Sequence, residues 1–238
     1  MSASVIDVRR AADRFHTQLP WLDSWHSFSF RPHYHPDNTR HGLLMVLNDD
    51  TVAPGCGFDT HTHHDMEIVT WVVSGRLEHR DSEGNRGVLR RGLVQRMSAG
   101  TGVSHSEKNA SNDEPVHFIQ MWVLPDTRGV EPSYEQRDVT AALIAGGLIP
   151  VVSGQGHDGA VSIGQRKAVL WVGQLRPGES VAVPEDRRVH LFVTSGWGWF
   201  DGEEALARGD AVRLTRAGAD RRFEAGADGA EVLVWQTA

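Results

Sequence analysis

Cysteine is all but absent: Cys56 is the single one in 238 residues. No internal disulfide can form, and a reducing cytoplasm is the simplest compartment to expect. Positive charge is also in short supply. The net charge is −7 with a pI near 6.0, and no Lys/Arg run could neutralise a phosphate backbone, which argues against direct nucleic-acid binding. No stretch reaches the roughly 18 apolar residues of a membrane span. Near the start, Arg9, Arg10, Asp13 and Arg14 stand where a secretion signal would need an apolar run. A soluble protein with a sizeable core is expected from this length.

Helical periodicity is scarce as well. The candidates are VIDVRRAAD near the N-terminus and DVTAALIAGG (138–147), which has Asp138 and Thr140 at its start and Gly146–Gly147 as a stop. What fills the chain is short β-type runs separated by Gly, Asp, Asn and Pro, at 67–75, 116–124, 168–175 and 189–202. RDSEGNRG (80–87) predicts a turn between antiparallel strands. LPDTRGVEPSYEQRD (124–138) reads as a linker. A boundary near residue 135 then gives domains at 1–135 and 136–238.

The two sides of that boundary resemble each other. IVTWVVSGRLEHRD (68–81) matches HLFVTSGWGWFDG (190–202) when Ser74–Gly75 is laid on Ser195–Gly196, and LRRGLVQRMS (89–98) matches LARGDAVRLT (206–215) with Gly92 on Gly209. Two copies of one β-module are expected. On this pairing His61 and His63 fall on Ala182 and Pro184, and His105 falls near Arg222. A metal site therefore belongs to the first half.

Histidine is what the first half has in abundance. In HTHHDME (61–67), His61 and His63 share a strand face and His64 points the other way. In SAGTGVSHSEKN, His105 and Glu107 form a second pair two residues apart, after Gly100 and Gly102, which allow a sharp turn. Three imidazoles and a carboxylate suit a divalent first-row metal, with Fe, Ni, Co, Mn, Cu or Zn all compatible. Glu67 has the same strand parity as His61 and His63 and competes with Glu107 for the carboxylate position; parity alone does not choose. His64 is expected at the surface or behind the ligands.

The other histidines read as structural. His33, His35 and His41 sit in a loop-like RPHYHPDNTRH; His16, His26, His117, His157 and His190 lack a partner at ligand spacing; His79, in LEHRD, is expected on a hairpin face. Of Trp21, Trp25, Trp71, Trp122, Trp197, Trp199 and Trp235, most are expected in the core, with one or two lining a pocket for an aromatic ligand. Cys56 has no base or second thiol beside it and reads as structural.

The stretch from His61 to Glu107, together with WLDSWHSFSF, VLNDD and GFDTH before it and YEQR after it, resembles the pirin family of the cupin superfamily, in its bacterial quercetinase-like branch. The likeness covers roughly residues 8–137. It implies an all-β bicupin, two antiparallel β-barrels (double-stranded β-helices) with a few short helices, and a metal in the N-terminal one. Carried onto this chain, the family's ligands are His61, His63, His105 and Glu107, which favours Glu107 over Glu67. Thr62 replaces a family proline between two ligands. Fe(II) is the metal the resemblance puts first. The implied activity is quercetin 2,3-dioxygenase, in which a flavonol and O2 yield carbon monoxide and a depside ester, with Glu107 as general base. The alternative it implies is a non-catalytic, iron-dependent redox sensor that regulates a protein partner.

Overall fold

The apolar runs form strands, as their β-branched and aromatic composition favours, and the turn residues between them reverse the chain. The computed structural model describes residues 4–238; residues 1–3 of the expected first domain lie outside the described residues. In chain order the strands are β1 (Val5–Arg9), β2 (Phe15–Leu19), β3 (Leu22–His26), β4 (Leu44–Val52), β5 (Gly57–His63), β6 (Glu67–Ser74), β7 (Leu77–Asp81), β8 (Arg86–Leu89), β9 (Leu93–Ser98), β10 (Val103–Asn109), β11 (Val116–Val123) and β12 (Ser133–Asp138). One helix, α1 (Thr140–Ala145), follows. Then come β13 (Leu148–Ser153), β14 (Val161–Ser162), β15 (Ala168–Leu175), β16 (Ser180–Ala182), β17 (Arg188–Phe200), β18 (Glu204–Ala207), β19 (Ala211–Thr215) and β20 (Arg222–Thr237).

Three sheets result. The first half builds a seven-stranded sheet in the order β12-β9-β6-β11-β4-β3-β2 and a four-stranded sheet in the order β5-β10-β7-β8. The second half, joined by β1 of the first, builds a nine-stranded sheet along β1-β19-β17-β20-β15-β13-β14, with β16 on β20 and β18 on β17. Pairing is antiparallel except between β13 and β14. The expected all-β cupin architecture is what the chain adopts. Its sheets run as open hydrogen-bonded paths rather than closed rings among the described residues.

Two sequence expectations are corrected. VIDVRRAAD is a strand followed by a 3₁₀ turn at Ala11–Asp13, not a helix. The reason is tertiary: β1 pairs with β19, Val5 opposite Thr215 through Arg9 opposite Ala211, and a distant partner overrides local periodicity. The end of the supposed linker is also a strand. β12 covers the edge of β9, with Tyr134 opposite Met97 and Gln136 opposite Gln95.

The internal repeat is real, but slips by one residue at the site. Gly75 and Gly196 both have positive φ (79° and 71°), as do Gly92 and Gly209 (80° and 86°), so the aligned turns are alike. His61 pairs with His105 in the first half. In the second half, Ala182–Arg222 is indeed a pair, yet both residues face outward, and the inward pair is Val181–Phe223. A one-residue slip exchanges the two faces of a strand. Val181, Val183, Phe223 and Ala225 pack in an apolar interior with Leu191, Phe200 and Val232.

A separate core joins the halves. Phe28, Leu47, Trp71, Ile119 and Met121 pack against Leu170, Phe192, Leu233 and Trp235. Each such fully buried side chain contributes about 1.5–3 kcal/mol. Polar groups follow: the Trp71 indole, Thr194, Gln174 and Arg91 all donate to the buried Glu231 carboxylate at 2.8–3.0 Å.

Candidate metal centre

β5 and β10 run antiparallel with His61 directly opposite His105 and His63 opposite Val103. Because alternate residues share a face, His63 turns to the same side as His61. The three imidazoles form a nearly regular triangle, with ring centroids 4.6 Å (His61–His105), 4.8 Å (His61–His63) and 4.9 Å (His63–His105) apart. One nitrogen from each falls within 4.8 Å of the other two. Gly100 (φ 46°) makes the turn before β10, where a Cβ would lie 2.0 Å from the Val130 carbonyl oxygen. His64 is exposed, bonds the Thr101 carbonyl through Nδ1 at 2.9 Å and covers Gly102.

Two of the three imidazoles are held uncharged at neutral pH. Burial first, then the neighbouring histidines, lower His63 to about 4 and His105 to about 3. His61 Nδ1 donates to the Asp59 carbonyl at 2.8 Å, which leaves its Nε2 with a free lone pair. The Nε2 atoms of His63 and His105 are buried and have no hydrogen-bond partner among the described residues. Buried polar atoms are rarely left this way. Three converging nitrogen lone pairs are a donor set that fits a first-row divalent metal.

Glu107 lies on the same face of β10 as His105, 1% exposed. The register against β5 shifts between them, so Glu107 stands opposite Phe58 on one side and His79 on the other. Its donor atom groups with His79 and His105. Gln120 Nε2 donates to its Oε2 at 2.5 Å and the Thr70 hydroxyl to its Oε1 at 3.5 Å. Trp122 Nε1 donates to Gln120 Oε1 at 3.2 Å and so fixes which end of that amide meets the carboxylate.

Glu67 goes elsewhere. β5 ends at His63, and Asp65, with φ 48° and its Oδ1 accepting the Gly129 N–H at 2.7 Å, breaks the strand before β6 begins. The shared odd numbering therefore no longer means a shared face. Glu67 accepts from Ser98 at 2.8 Å and packs over Gly164 of the second half.

Beside the centre is a cavity of about 300 Å³ that His61, Glu107, Gln120 and Trp122 line. Trp21, Phe30 and Phe58 supply aromatic wall, and Trp122 stands edge-on to His63 at 4.9 Å. Ser24, His26, Asn48 and Asp50 add polar groups to the lining. His26 bonds Asn48 at 2.8 Å and Thr17 at 2.9 Å, and burial holds it below its ordinary value. Asp50 accepts from Ser24 and is pushed up to about 7, by burial first and then by the charges of Asp49 and Glu107.

Two tryptophans, Trp21 and Trp122, line the cavity, within the one or two expected, and so, besides His61, does a histidine, His26, that spacing gave no reason to suspect. His33 stacks on Phe15 and bonds Thr17 away from the triangle. The larger omission is His79. It lies in the β7–β8 hairpin, as expected, but on a fully buried face, with its ring 5.3 Å from that of His105. The only hint in LEHRD is Asp81, two residues on and on the same face.

Residues 7–123 match the family model described as Pirin, and residues 150–235 match one described as Quercetinase C-terminal cupin domain. An Escherichia coli protein named quercetin 2,3-dioxygenase is 41% identical over 81% of this chain and 82% of its own. A Mycobacterium tuberculosis protein provisionally given the same name is 51% identical over 98% of this chain and 95% of its own. Among solved structures, YhhW from E. coli superposes with TM-score 0.90 at 36% identity over 98% of both chains. A structure of bacterial pirin YhhW in complex with nickel(II) gives TM-score 0.87 at 35% identity, covering 98% of this chain and 99% of that one.

Proposed function

The chain belongs to the pirin family, and from that premise we propose that it is a metal-dependent dioxygenase acting on flavonols such as quercetin. Residues 1–135 would carry the metal and residues 136–238 the cupin without ligands. His61, His63 and His105 would hold one divalent transition metal, with Glu107 as fourth ligand. Fe(II) is the first to test and Ni(II) the second, since the YhhW relative has been solved with nickel(II). One observation carries the proposal: three imidazoles, His105 of them fully buried, converge beside a cavity with aromatic walls.

A bound metal would supply Lewis acidity toward an oxygen ligand and a template for two reactants. The protein supplies the rest. Trp122, Phe30 and Phe58 offer flat apolar surface to a planar ring system. Ser24, His26, Asn48 and Asp50 offer hydrogen-bonding groups to its hydroxyls. Glu107, oriented by Gln120, would take the proton of the flavonol 3-hydroxyl. It can do so only while loosely held by the metal, because tight coordination lowers a carboxylate's affinity for protons. The activated ring and O2 then yield carbon monoxide and a depside ester.

The test is release of carbon monoxide and loss of quercetin under air, with protein reconstituted separately with several divalent metals and His63→Ala run alongside. Metal-dependent release that His63→Ala lacks is the expected result. Metal bound without turnover on any flavonol would instead favour the redox-sensing protein that regulates a partner.

A further inference from the structure

We infer that Asp81 and His79 form a hydrogen-bonded relay behind His105 that dictates which of its nitrogens faces the metal. The inference rests on the metal site proposed above and assigns two positioning residues beyond its ligands.

β7 lies against β10 on the side away from β5, with Asp81 opposite His105 and His79 opposite Glu107. The side chains of His79 and Asp81 are 0% and 1% exposed, so solvent does not compete for their bonds. Asp81 is an acceptor with N–H groups aimed at both oxygens. Its Oδ1 takes the backbone N–H groups of Glu83 (3.1 Å) and Asn85 (2.9 Å), the Asn85 side-chain amide donates to both oxygens (3.2 and 3.0 Å), and Oδ2 also faces His79 Nε2 at 3.2 Å. The proton on that ring therefore sits on Nε2, since a carboxylate can only accept. His79 Nδ1 is left as an acceptor, 3.4 Å from His105 Nδ1 and 3.4 Å from Gln95 Nε2. Gln95 agrees: its Oε1 is engaged by the Tyr134 hydroxyl at 3.0 Å, which turns its NH2 toward His79. His105 must then carry its proton on Nδ1. Its Nε2, the buried atom with no partner among the described residues, presents a lone pair.

Metal-binding histidines ordinarily donate their second nitrogen to a carboxylate or carbonyl, and loss of that partner costs 10–100-fold in metal affinity. Here a second imidazole stands between ligand and carboxylate. The hairpin that ends β7 thereby reaches the metal through two rings. His79, His105 and Glu107 also form a group of donors within 4.8 Å, so the experiment must separate a positioning role for His79 from ligation.

Asp81→Asn does this, because its remaining carbonyl oxygen can still accept the two turn amides and the Asn85 side-chain amide while its NH2 would face His79. That reverses the relay: His79 would accept at Nε2 and donate from Nδ1, and the His105 proton would move to the nitrogen that ligation needs. Full-length, metal-free wild type, Asp81→Asn, His79→Gln, His79→Phe and His63→Ala would be titrated with Ni(II) against a chromophoric chelator and with Co(II) by its visible spectrum. Thermal unfolding of the metal-free proteins would report folding.

We expect Asp81→Asn to bind Ni(II) 10–100-fold more weakly than wild type with an unchanged metal-free melting temperature. His79→Phe should lose at least as much, and His79→Gln, whose carbonyl can accept from His105 Nδ1, should recover part. Wild-type affinity in Asp81→Asn overturns the relay. So does complete loss in His79→Phe, equal to that in His63→Ala, if Asp81→Asn binds normally, for His79 is then a ligand. No binding by wild type removes the metal site itself, a different result from wild-type binding that Asp81 does not influence.

Discussion

The Glu107 carboxylate is gripped by Gln120 on one side and lines the cavity on the other, and a substitution there separates two roles. Glu107→Gln keeps an oxygen donor and all three imidazoles, so most of the metal should stay. The base is gone, and turnover should fall by about 10²–10⁴. Carbon monoxide release at matched metal occupancy checks this; equal turnover in the variant would remove the base assignment. The triangle itself was legible as residues, because H-x-H and H-x-E put like-facing side chains on two strands. The choice between Glu67 and Glu107 was not. It depends on Asp65, whose left-handed backbone resets the strand phase, and nothing in HTHHDME announces that.

At the level of elements, the approach to β10 depends on Gly100. A methyl group there would meet the Val130 carbonyl at 2.0 Å in a backbone conformation that side chains disfavour. Gly100→Ala should cost about 2 kcal/mol or more of stability, read as a lower urea midpoint at unchanged slope. It should also weaken metal binding, since His105 and Glu107 follow directly. Strands with dense apolar runs were legible at residues 67–74, 116–123, 168–175 and 188–200 because burial on both faces leaves an uninterrupted signal. β1 and β12 were not, being edge strands whose character comes from partners elsewhere. His79 was hidden for a related reason: its importance comes from β7 lying beside β10, which no window of sequence contains.

For the molecule as a whole, the seam between the halves makes stability sensitive to acid. His190 is fully buried beside Phe28 and His41 of the first half, and neither of its nitrogens has a partner among the described residues. Burial, then Arg213 and His41, hold it well below 6.5; burial brings His41 to about 4. Below pH 6.5 the unfolded chain takes up protons that these folded imidazoles refuse. Their contribution is thus fully present above 6.5 and lost as pH falls toward 4, by up to about 1.4 kcal/mol per unit for each. Urea unfolding between pH 7.5 and 4.5 should show that slope. His190→Leu should flatten it by up to one proton and, having no unpaired nitrogens to bury, be at least as stable at pH 7. An unchanged slope would mean that His190 titrates normally.

The pairing of β1 with β19 has a consequence in time. A ribosome delivers Val5–Arg9 long before Ala211–Thr215, so β1 waits for its partner while every strand between them is made. The first half can collapse early, but β1 stays free until β19 emerges and pairs with it. Chains cut short before β19 carry an unpaired β1, and chains lacking β1 carry a bare β19 edge. Both are templates for pairing with the wrong chain, and so truncation on either side should be read out first in aggregation.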